Sequence, residues 1–341
     1  MIDFFKDKKV LITGHTGFKG SWLSQILLGF GARVSGVALE PNTDPSLFKI
    51  LGLEDKLNHH ICDIRDFEKV KEIFEKEKPE IVFHLAAQPL VRDSYDDPLY
   101  TFQTNVIGTV NVLEAIRQVS TVRSGVIITT DKVYAEQDKK SGCKEDDKLG
   151  GWDPYSGSKA AAEIAIDSYI KSFFNSKKIA SARSGNVIGG GDWSKYRIVP
   201  DIIQSNFKNK ELVIRCPNSI RPWQHVLEPS YGYLLLAEKL YEGKISGALN
   251  FGPNESSYLT VKELLERLSE KSYSIKEDKE KHEAELLKLD ISKAKEVLGW
   301  KPVLDINTAI KLTANWYSDF YNGKNMVEVT NSQIKFFFEK I

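Results

Sequence analysis

The chain has 341 residues, of which 47 are Lys or Arg and 47 are Asp or Glu, so its formal net charge is zero. This length predicts about two domains of ~100 to 200 residues each, and the balanced charge argues against nucleic acid or an anionic membrane as a partner. The three cysteines lack the paired spacing of a zinc site or a disulfide framework, and no run reaches the ~18 apolar residues of a membrane span. Because no secretory leader precedes the first apolar run, we expect a cytoplasmic protein without a metal site.

Short apolar runs alternate with segments of helical period through the first half of the chain. The runs at 10–13, 81–85 and 126–130 are separated by helical segments such as 20–30 and 67–78. This alternation predicts an α/β fold built on a doubly wound parallel (Rossmann) sheet. The runs are apolar at consecutive positions, which is typical of strands buried on both faces by crossover helices.

A glycine-rich turn follows the first predicted strand and precedes a predicted helix. Gly14, Gly17 and Gly20 stand three residues apart, with Thr16 and Phe18 between them. Glycine at these positions permits a tight turn and lets backbone amides approach a pyrophosphate, which the start of the helix also attracts. The turn therefore predicts a dinucleotide-binding site.

The end of the second predicted strand should carry the carboxylate that binds the adenosine ribose. Glu40 is the carboxylate available there, although it stands one or two positions late and a surface role remains an alternative. No arginine follows it to hold a 2′-phosphate, which favours NAD over NADP. Asp63 and Ile64, after the third apolar run, are placed to contact adenine.

Tyr155 and Lys159 stand four residues apart at the start of a predicted helix, so they share one face. A tyrosine with a pKa of ~10 is a poor base at neutral pH, and a neighbouring ammonium stabilises its phenolate. The spacing alone is common. Downstream of a dinucleotide-binding turn, it predicts a catalytic base.

The predicted strand at 126–130 ends in Thr130, Asp131 and Lys132, at the sheet edge where doubly wound folds bind ligands. Thr130 can donate to a sugar hydroxyl. In a regular strand Asp131 and Lys132 would face opposite sides of the sheet. Both can serve one site only if the chain leaves the strand at this point.

The pattern becomes less regular from about residue 184, where glycines, prolines and isolated aromatic residues increase. We expect residues 1–183 to form the NAD-binding domain. Residues 184–341 should form mainly a smaller, intertwined substrate-binding lobe, with segments that return to the first domain. Later helices are predicted at 261–271, 291–298 and 306–321, and the lysine- and glutamate-rich stretch 271–288 is read as a solvated surface.

The glycine turn, the Tyr155/Lys159 pair and the second lobe resemble the extended short-chain dehydrogenase/reductase family. Within that family, the acid-base pair after Thr130 resembles nucleotide-sugar 4,6-dehydratases and differs from epimerases. The blocks at 15–22, 86–89, 151–155, 185–193 and 221–226 are similar to the branch that acts on CDP-glucose, and the resemblance covers nearly the whole chain. It implies an NAD-dependent hydro-lyase with further cofactor contacts from Leu85, Ala86, Ala87, Gln88, Tyr155 and Lys159.

The resemblance also implies how the reaction proceeds. Tyr155, assisted by Lys159 and Thr130, takes the proton of the sugar 4-hydroxyl while hydride leaves C4. Asp131 then protonates the departing C6 hydroxyl as a base removes the C5 proton, and the hydride returns to C6. Lys132 stands where the dTDP-glucose and GDP-mannose enzymes have glutamate. It is either the C5 base or a cation that stabilises the enolate.

The substrate contacts implied by the resemblance lie mainly in the second lobe. Arg221 resembles the family's pyrophosphate-binding arginine, and Arg197 is a second candidate. Asn186 is expected to contact phosphate or sugar, and Gln88 and His225 complete the predicted substrate set. His225 and Trp223 are also read as structural wall residues.

Three alternatives remain open from the sequence. The substrate can be a GDP-, dTDP- or UDP-linked sugar, the reaction can be a 4-epimerisation, or the chain can be an inactive NAD-binding regulator. Relatives in the family pair through two long helices, which implies a homodimer or homotetramer contacting through 105–117 and 158–173. The tail at 331–341 is either a docking helix or an interface segment.

Overall fold

The computed structural model describes residues 1–136, 138–208, 210–269, 271–276 and 286–341. The strands are β1 (Lys9–Thr13), β2 (Arg33–Ala38), β3 (Asn58–Ile61), β4 (Ile81–His84), β5 (Ser124–Thr130), β6 (Lys178–Ser184), β7 (Val187–Ile188), β8 (Val213–Ile214), β9 (Ile220–Pro222), β10 (Gln224–His225), β11 (Gly247–Phe251), β12 (Tyr258–Thr260) and β13 (Ser274–Ile275). The helices are α1 (Ile2–Phe5), α2 (Phe18–Gly29), α3 (Leu47–Ile50), α4 (Phe67–Glu77), α5 (Val91–Asp96), α6 (Pro98–Phe102), α7 (Gly108–Gln118), α8 (Pro154–Phe173), α9 (Ile198–Lys208), α10 (Leu227–Tyr241), α11 (Val261–Leu268), α12 (Ser292–Leu298), α13 (Ile306–Tyr321) and α14 (Met326–Phe338).

Seven strands form one parallel sheet in the order β11-β6-β5-β4-β1-β2-β3. The chain moves outward from β1 to β3 and then returns to place β4 on the other side of β1. This reversal leaves a crevice at the carboxyl ends of β1 and β4, where open α/β sheets bind ligands. The predicted doubly wound parallel sheet is confirmed.

The two faces of the sheet are covered by different helices. On one face, α2 and α10 pack against the strands through residues such as Trp22 and Leu234. On the other face, α4, α7 and α8 contribute residues such as Phe74, Ile116 and Ile166. Since both faces are covered, all seven residues of β5 are buried.

The second half of the chain contributes to the main sheet and also builds a smaller unit beside it. β11 pairs with β6, and α10 packs on β5 and β6. The smaller unit contains α9, α11 and the two-stranded sheets β13-β8 and β12-β9, with a core of Ile202, Leu212, Ile214 and Leu265. The domain boundary at residue 184 stays a prediction.

Several helices differ from their predicted bounds. The segment predicted as a helix at 105–117 begins as a π-helical turn, Gln103–Ile107, and continues as α7. The helix predicted at 261–271 ends at Leu268, and part of the stretch 271–288, residues 277–285, lies outside the described residues. The C-terminal tail belongs to α14, which packs on α13 and α2 of its own chain and buries Phe337 completely. No helix among the described ranges is long and apolar enough to cross a membrane.

Candidate active site

A cavity of ≈ 700 Å³ runs along the carboxyl ends of the central strands. Every residue predicted to bind cofactor or to act in catalysis lines it, as do three further predicted substrate residues, Asn186, Arg197 and Arg221. The loops after β1, β4, β5 and β6 all reach this cavity, because the carboxyl ends of parallel strands share one edge of the sheet. Residues separated by more than 150 positions therefore meet there.

The glycine turn after β1 lets two backbone segments approach closely. Gly14 has a φ of +75°, and a Cβ there would lie 2.6 Å from the backbone nitrogen of Ala86. A Cβ on Gly20 would lie 2.2 Å from the carbonyl oxygen of Gly14. Helix α2 starts directly after the turn with Gly17 as its N-cap, so its free N–H groups point toward the cavity end that a pyrophosphate would occupy.

Polar groups surround the end of the cavity that is predicted to hold adenosine. Glu40 follows β2 by two residues and is exposed, while the Thr16 hydroxyl donates to the Leu39 carbonyl 2.9 Å away. The Asp63 carboxylate accepts from the Arg65 guanidinium at 2.6 Å. This bond is the main reason that the pKa of Asp63 is lowered.

His15, inside the glycine turn, has a structural role that sequence reasoning did not assign. Its Nε2 lies 2.6 Å from Nδ1 of His59 in β3, and its ring fills the space that a side chain on Gly36 would need. Burial, and secondarily the nearby His59, lowers the pKa of His15 to about 3. His15 is therefore neutral at physiological pH and fixes the turn against β2 and β3.

The chain leaves the strand immediately after Thr130. Asp131, Lys132 and Val133 form a 3₁₀ turn, so Asp131 and Lys132 both line the same cavity instead of facing opposite sides of the sheet. The Thr130 hydroxyl donates to Oδ1 of Asp131 at 3.0 Å.

Tyr155 and Lys159 lie one turn apart on α8. Asp153 caps this helix by accepting from the Ser156 N–H at 2.9 Å, and Pro154 occupies its first turn. Burial raises the pKa of Tyr155 to about 12, although its hydrogen bond with Thr130 acts in the opposite direction. Burial also lowers the pKa of Lys159 to about 8, and its Nζ donates to the Ile128 carbonyl at 3.2 Å. Lys159 remains mostly charged at neutral pH and can stabilise a phenolate.

Asp131 is 4% exposed, and its Oδ2 has no hydrogen-bond partner among the described residues. Oδ2 lies against Gly185, where a Cβ would come within 2.7 Å of it. Burial raises the pKa of Asp131, while Lys132, Arg221 and Lys19 act in the opposite direction. A carboxyl group in this position favours its protonated form, which suits a general acid.

The predicted substrate residues occupy different parts of the cavity wall. Arg197 forms an ion pair with Asp192 at 2.9 Å, and Arg221 is 3% exposed in β9. Gln88 lines the cavity, but its amide bonds to Leu90 and Thr101, so its side chain mainly holds the loop after β4.

His225 does not line the cavity, contrary to expectation. It is completely buried in β10, where its ring packs edge-on against Trp22 and its Nδ1 accepts from the Leu227 N–H at 3.4 Å. Its neighbour Trp223 does line the cavity. His225 packs into the protein interior instead, and we leave it out of the substrate set.

Lys19 is a cavity residue that sequence reasoning missed. Its Nζ donates to the Ser184 hydroxyl at 3.0 Å, which takes it away from the glycine turn and toward the end of β6. Burial, and secondarily the positive charge of the nearby Arg197, lowers the pKa of Lys19 to about 7. The negative charge of Asp131 acts in the opposite direction. A signal was available in the sequence, since Lys19 is the one charged residue of α2. Arg92, Tyr196 and Arg215 are further cavity residues that were not predicted.

Comparison with known proteins gives three kinds of similarity. Residues 11–313 match the family model described as GDP-mannose 4,6 dehydratase. The chain is 45% identical to a CDP-glucose 4,6-dehydratase of Salmonella typhimurium over 98% of each chain, and 30% identical to a UDP-glucuronate 4-epimerase of Thermodesulfobacterium geofontis over 90% of this chain and 95% of the other.

Two solved structures share the fold. A Thermotoga maritima UDP-glucose 4-epimerase with UDP-glucose has a TM-score of 0.81 at 25% identity, covering 92% of this chain and 99% of that one. A Thermus thermophilus UDP-glucose 4-epimerase in complex with NAD has a TM-score of 0.79 at 25% identity, covering 91% and 98%.

Proposed function

Because this chain belongs to the GDP-mannose 4,6-dehydratase family, we propose that it is an NAD-dependent CDP-glucose 4,6-dehydratase. The reaction converts CDP-D-glucose into CDP-4-dehydro-6-deoxy-D-glucose and water, so the enzyme is a hydro-lyase. The choice of CDP-glucose rests on the Salmonella relative, which is 45% identical over 98% of both chains.

The main evidence for dehydratase chemistry is the buried Asp131 next to Thr130. A 4-epimerase moves a hydride and the 4-hydroxyl proton, and it needs no acid at C6. A dehydratase must protonate a departing hydroxyl, which a protonated carboxyl group can do. The raised pKa of Asp131, caused mainly by burial, and its unpartnered Oδ2 among the described residues support this role.

The protein groups around Tyr155 support oxidation at C4. The Tyr155 phenolate takes the proton of the sugar 4-hydroxyl, and Lys159 stabilises that phenolate by its charge. Thr130 holds the phenol in place through a hydrogen bond. A dinucleotide pyrophosphate fits the close backbone approach at Gly14 and Gly20. It also fits the N–H groups at the start of α2, which have no partner within the helix. When bound, NAD supplies the acceptor for the C4 hydride and the donor for its return to C6.

Oxidation at C4 makes the C5 proton acidic. In the elimination that follows, a base removes this proton while Asp131 gives its own proton to the C6 hydroxyl, which leaves as water. We assign Lys132 as the C5 base because the 3₁₀ turn places it on the same cavity as Asp131.

For the sugar nucleotide, we assign Arg197 and Arg221 to the phosphates and Asn186 to the phosphate or sugar.

The first experiment incubates the purified protein with NAD and, separately, with CDP-, dTDP-, GDP- and UDP-linked hexoses, and follows product mass. Loss of one water from CDP-glucose alone is the expected result. Turnover of another nucleotide would keep the mechanism and replace the substrate. An unchanged mass with every sugar nucleotide would contradict the dehydratase proposal.

Replacing Asp131 by Asn tests the acid directly. We expect D131N to lower the rate of water loss about 10²–10⁴-fold, the usual contribution of a general acid, while C4 oxidation still produces reduced nicotinamide. Stopped-flow absorbance and product mass measure the two steps separately. The exposed Asp146→Asn serves as control. Equal losses in both steps would mean that Asp131 does not act as the acid of the elimination.

We further propose a homodimer, or a homotetramer built from two such dimers, whose copies contact through α7 and α8. Exposed apolar side chains on or beside these helices support this surface, with Ile107 51%, Ile164 62% and Phe173 52% exposed. Division at residue 184 into an NAD-binding domain and a substrate lobe, and a cytoplasmic location, remain predictions from the sequence.

A further inference from the structure

The proposed reaction leaves two protein groups in the wrong protonation state after each turnover. Tyr155 gains the proton of the 4-hydroxyl, and Asp131 loses a proton to the departing water. The C5 proton moves to Lys132 and back to C5, and the hydride that leaves C4 ends on C6. Neither transfer therefore changes the protonation state of Tyr155 or Asp131. One proton must therefore pass from Tyr155 to Asp131, directly or through solvent, before the next turnover.

Thr130 contacts both groups between which this proton must move. Its hydroxyl donates to Oδ1 of Asp131 at 3.0 Å and forms a hydrogen bond with the Tyr155 phenol. The same oxygen accepts from the Lys132 backbone N–H at 3.4 Å. A hydroxyl has one hydrogen and two lone pairs. After a turnover Asp131 is a carboxylate and can only accept, so the Thr130 hydrogen points to Asp131 and the protonated Tyr155 donates to the Thr130 oxygen.

The hydrogen-bond chain therefore runs from the Tyr155 phenol through the Thr130 hydroxyl to the Asp131 carboxylate. This polarity belongs to the state that follows a turnover, in which the phenol is protonated and the carboxylate is not. If the phenol passes its proton to Thr130 while Thr130 passes its own to Asp131, one net proton moves from Tyr155 to Asp131. The O–H bonds broken and formed are equal in number, and no outside acid or base is needed.

All three side chains are shielded from water. Thr130, Asp131 and Tyr155 are 6%, 4% and 9% exposed, and their accessible sides line the cavity that the sugar would fill. With the sugar in the cavity, two separate exchanges with bulk solvent would have to wait until the product leaves. A path through one shared hydroxyl avoids that wait.

We propose that Thr130 relays a proton from Tyr155 to Asp131 at the end of each turnover and so restores both groups without solvent. The relay rests on the proposed dehydratase function and adds a second role to the support that Thr130 gives Tyr155. The rival path sends the Tyr155 proton to solvent past Lys159 and reprotonates Asp131 from water.

The test compares Thr130→Val with Thr130→Ser, which restores the hydroxyl. Rapid-quench measurements with CDP-glucose give the rate of the first turnover and of later ones. In T130V we expect later turnovers to be at least about tenfold slower than the first, and their rate to rise with the concentration of a small buffer such as imidazole at constant pH and ionic strength. Wild type and T130S should show no buffer dependence.

If Thr130 only positions Tyr155, T130V will be slow by the same factor in first and later turnovers and insensitive to buffer, and the relay is overturned.

A second measurement uses only wild-type protein in excess over substrate, with a pH-indicator dye in weak buffer. The relay predicts no transient exchange of protons with solvent, and a transient of one proton per site would refute it. Absence of water loss in wild type would instead reject the dehydratase function, so the two failures are distinguishable.

Discussion

At the residue scale, burial shifts the pKa values of two charged groups at the reaction centre toward their neutral forms. Burial raises the pKa of Asp131 and lowers the pKa of Lys19 to about 7. These two groups oppose each other's shift, because a carboxylate and an ammonium stabilise one another. When Asp131 gives up its proton, Lys19 is one of the cations that stabilise the remaining carboxylate.

Replacing Lys19 by Met should therefore slow the elimination about tenfold, which corresponds to the loss of ~1.4 kcal/mol of charge stabilisation. The ammonium of Lys19 is lost as pH rises through about 7, so the difference in kcat between wild type and K19M should be largest below pH 7 and small at pH 9. Steady-state rates across this range are the measurement. Lys49→Met, an exposed lysine, is the control, and an equal kcat for K19M and wild type at pH 6 would contradict the role.

At the scale of elements, the junction of β1 and α2 depends on glycine at one position and not at another. A Cβ on Gly20 would lie 2.2 Å from the Gly14 carbonyl oxygen, whereas a Cβ on Gly29, at the other end of α2, would meet nothing within 4 Å. Gly20→Ala should thus displace the turn and weaken NAD binding at least about tenfold, a loss of ~1.4 kcal/mol.

Gly29→Ala is the matched control in the same helix. It should leave NAD binding unchanged and stabilise the fold by up to ~0.5–1 kcal/mol, because Ala loses less backbone freedom than Gly in a helix. Titration calorimetry gives the Kd, and thermal unfolding gives the stability. If both variants bind NAD as wild type does, the close approach at Gly20 is not needed for the site.

A second prediction at this scale concerns Glu228, which joins the start of α10 to the segment before α13. Its carboxylate accepts from the backbone N–H groups of Val303 and Leu304, the shortest contact being 2.6 Å. Burial nevertheless raises its pKa to about 7 from the usual 4.5. A carboxyl group with a raised folded-state pKa binds its proton more tightly in the folded protein, so its contribution to stability falls as pH rises from about 4.5 through 7.

The Glu228→Gln variant cannot titrate at this position. Relative to wild type, it should gain up to about 3 kcal/mol in free energy of unfolding between pH 4.5 and pH 8, since one pKa unit corresponds to ~1.4 kcal/mol. Urea unfolding at the two pH values measures this difference. The exposed Glu75→Gln should keep the wild-type pH dependence, and a parallel pH dependence in E228Q would argue against the raised pKa.

At the scale of the whole molecule, the apolar surface of α7 and α8 is the proposed contact between copies. Ile164 is 62% exposed on α8, and an aspartate there would place a charge in the contact, which costs several kcal/mol when unpaired. Ile164→Asp should convert the oligomer to a monomer of 38.6 kDa, as read by light scattering. The control is Ile275→Asp, which changes an equally apolar side chain that is 56% exposed on β13. An I164D protein with the wild-type mass would exclude this surface.

The architecture of the molecule and much of its site were predictable from the sequence because both depend on short segments. The parallel sheet follows from apolar runs alternating with helical periods, and the glycine turn and the Tyr155/Lys159 pair are each encoded within eight residues. Such local patterns fix backbone geometry directly, since glycine permits close approach and a spacing of four places two side chains on one helix face.

Only the tertiary structure decided which distant groups meet at the reaction centre. Lys19 reaches Ser184 across 165 positions, because β1 and β6 end at the same edge of one sheet. His225 is completely buried against Trp22 and does not reach the cavity. A regular strand would have placed Asp131 and Lys132 on opposite sides of the sheet. The 3₁₀ turn after β5 brings both to the same cavity instead. The sequence by itself determined the kinds of groups present, whereas burial and contact, which depend on how the whole chain packs, decided which of them can exchange a proton.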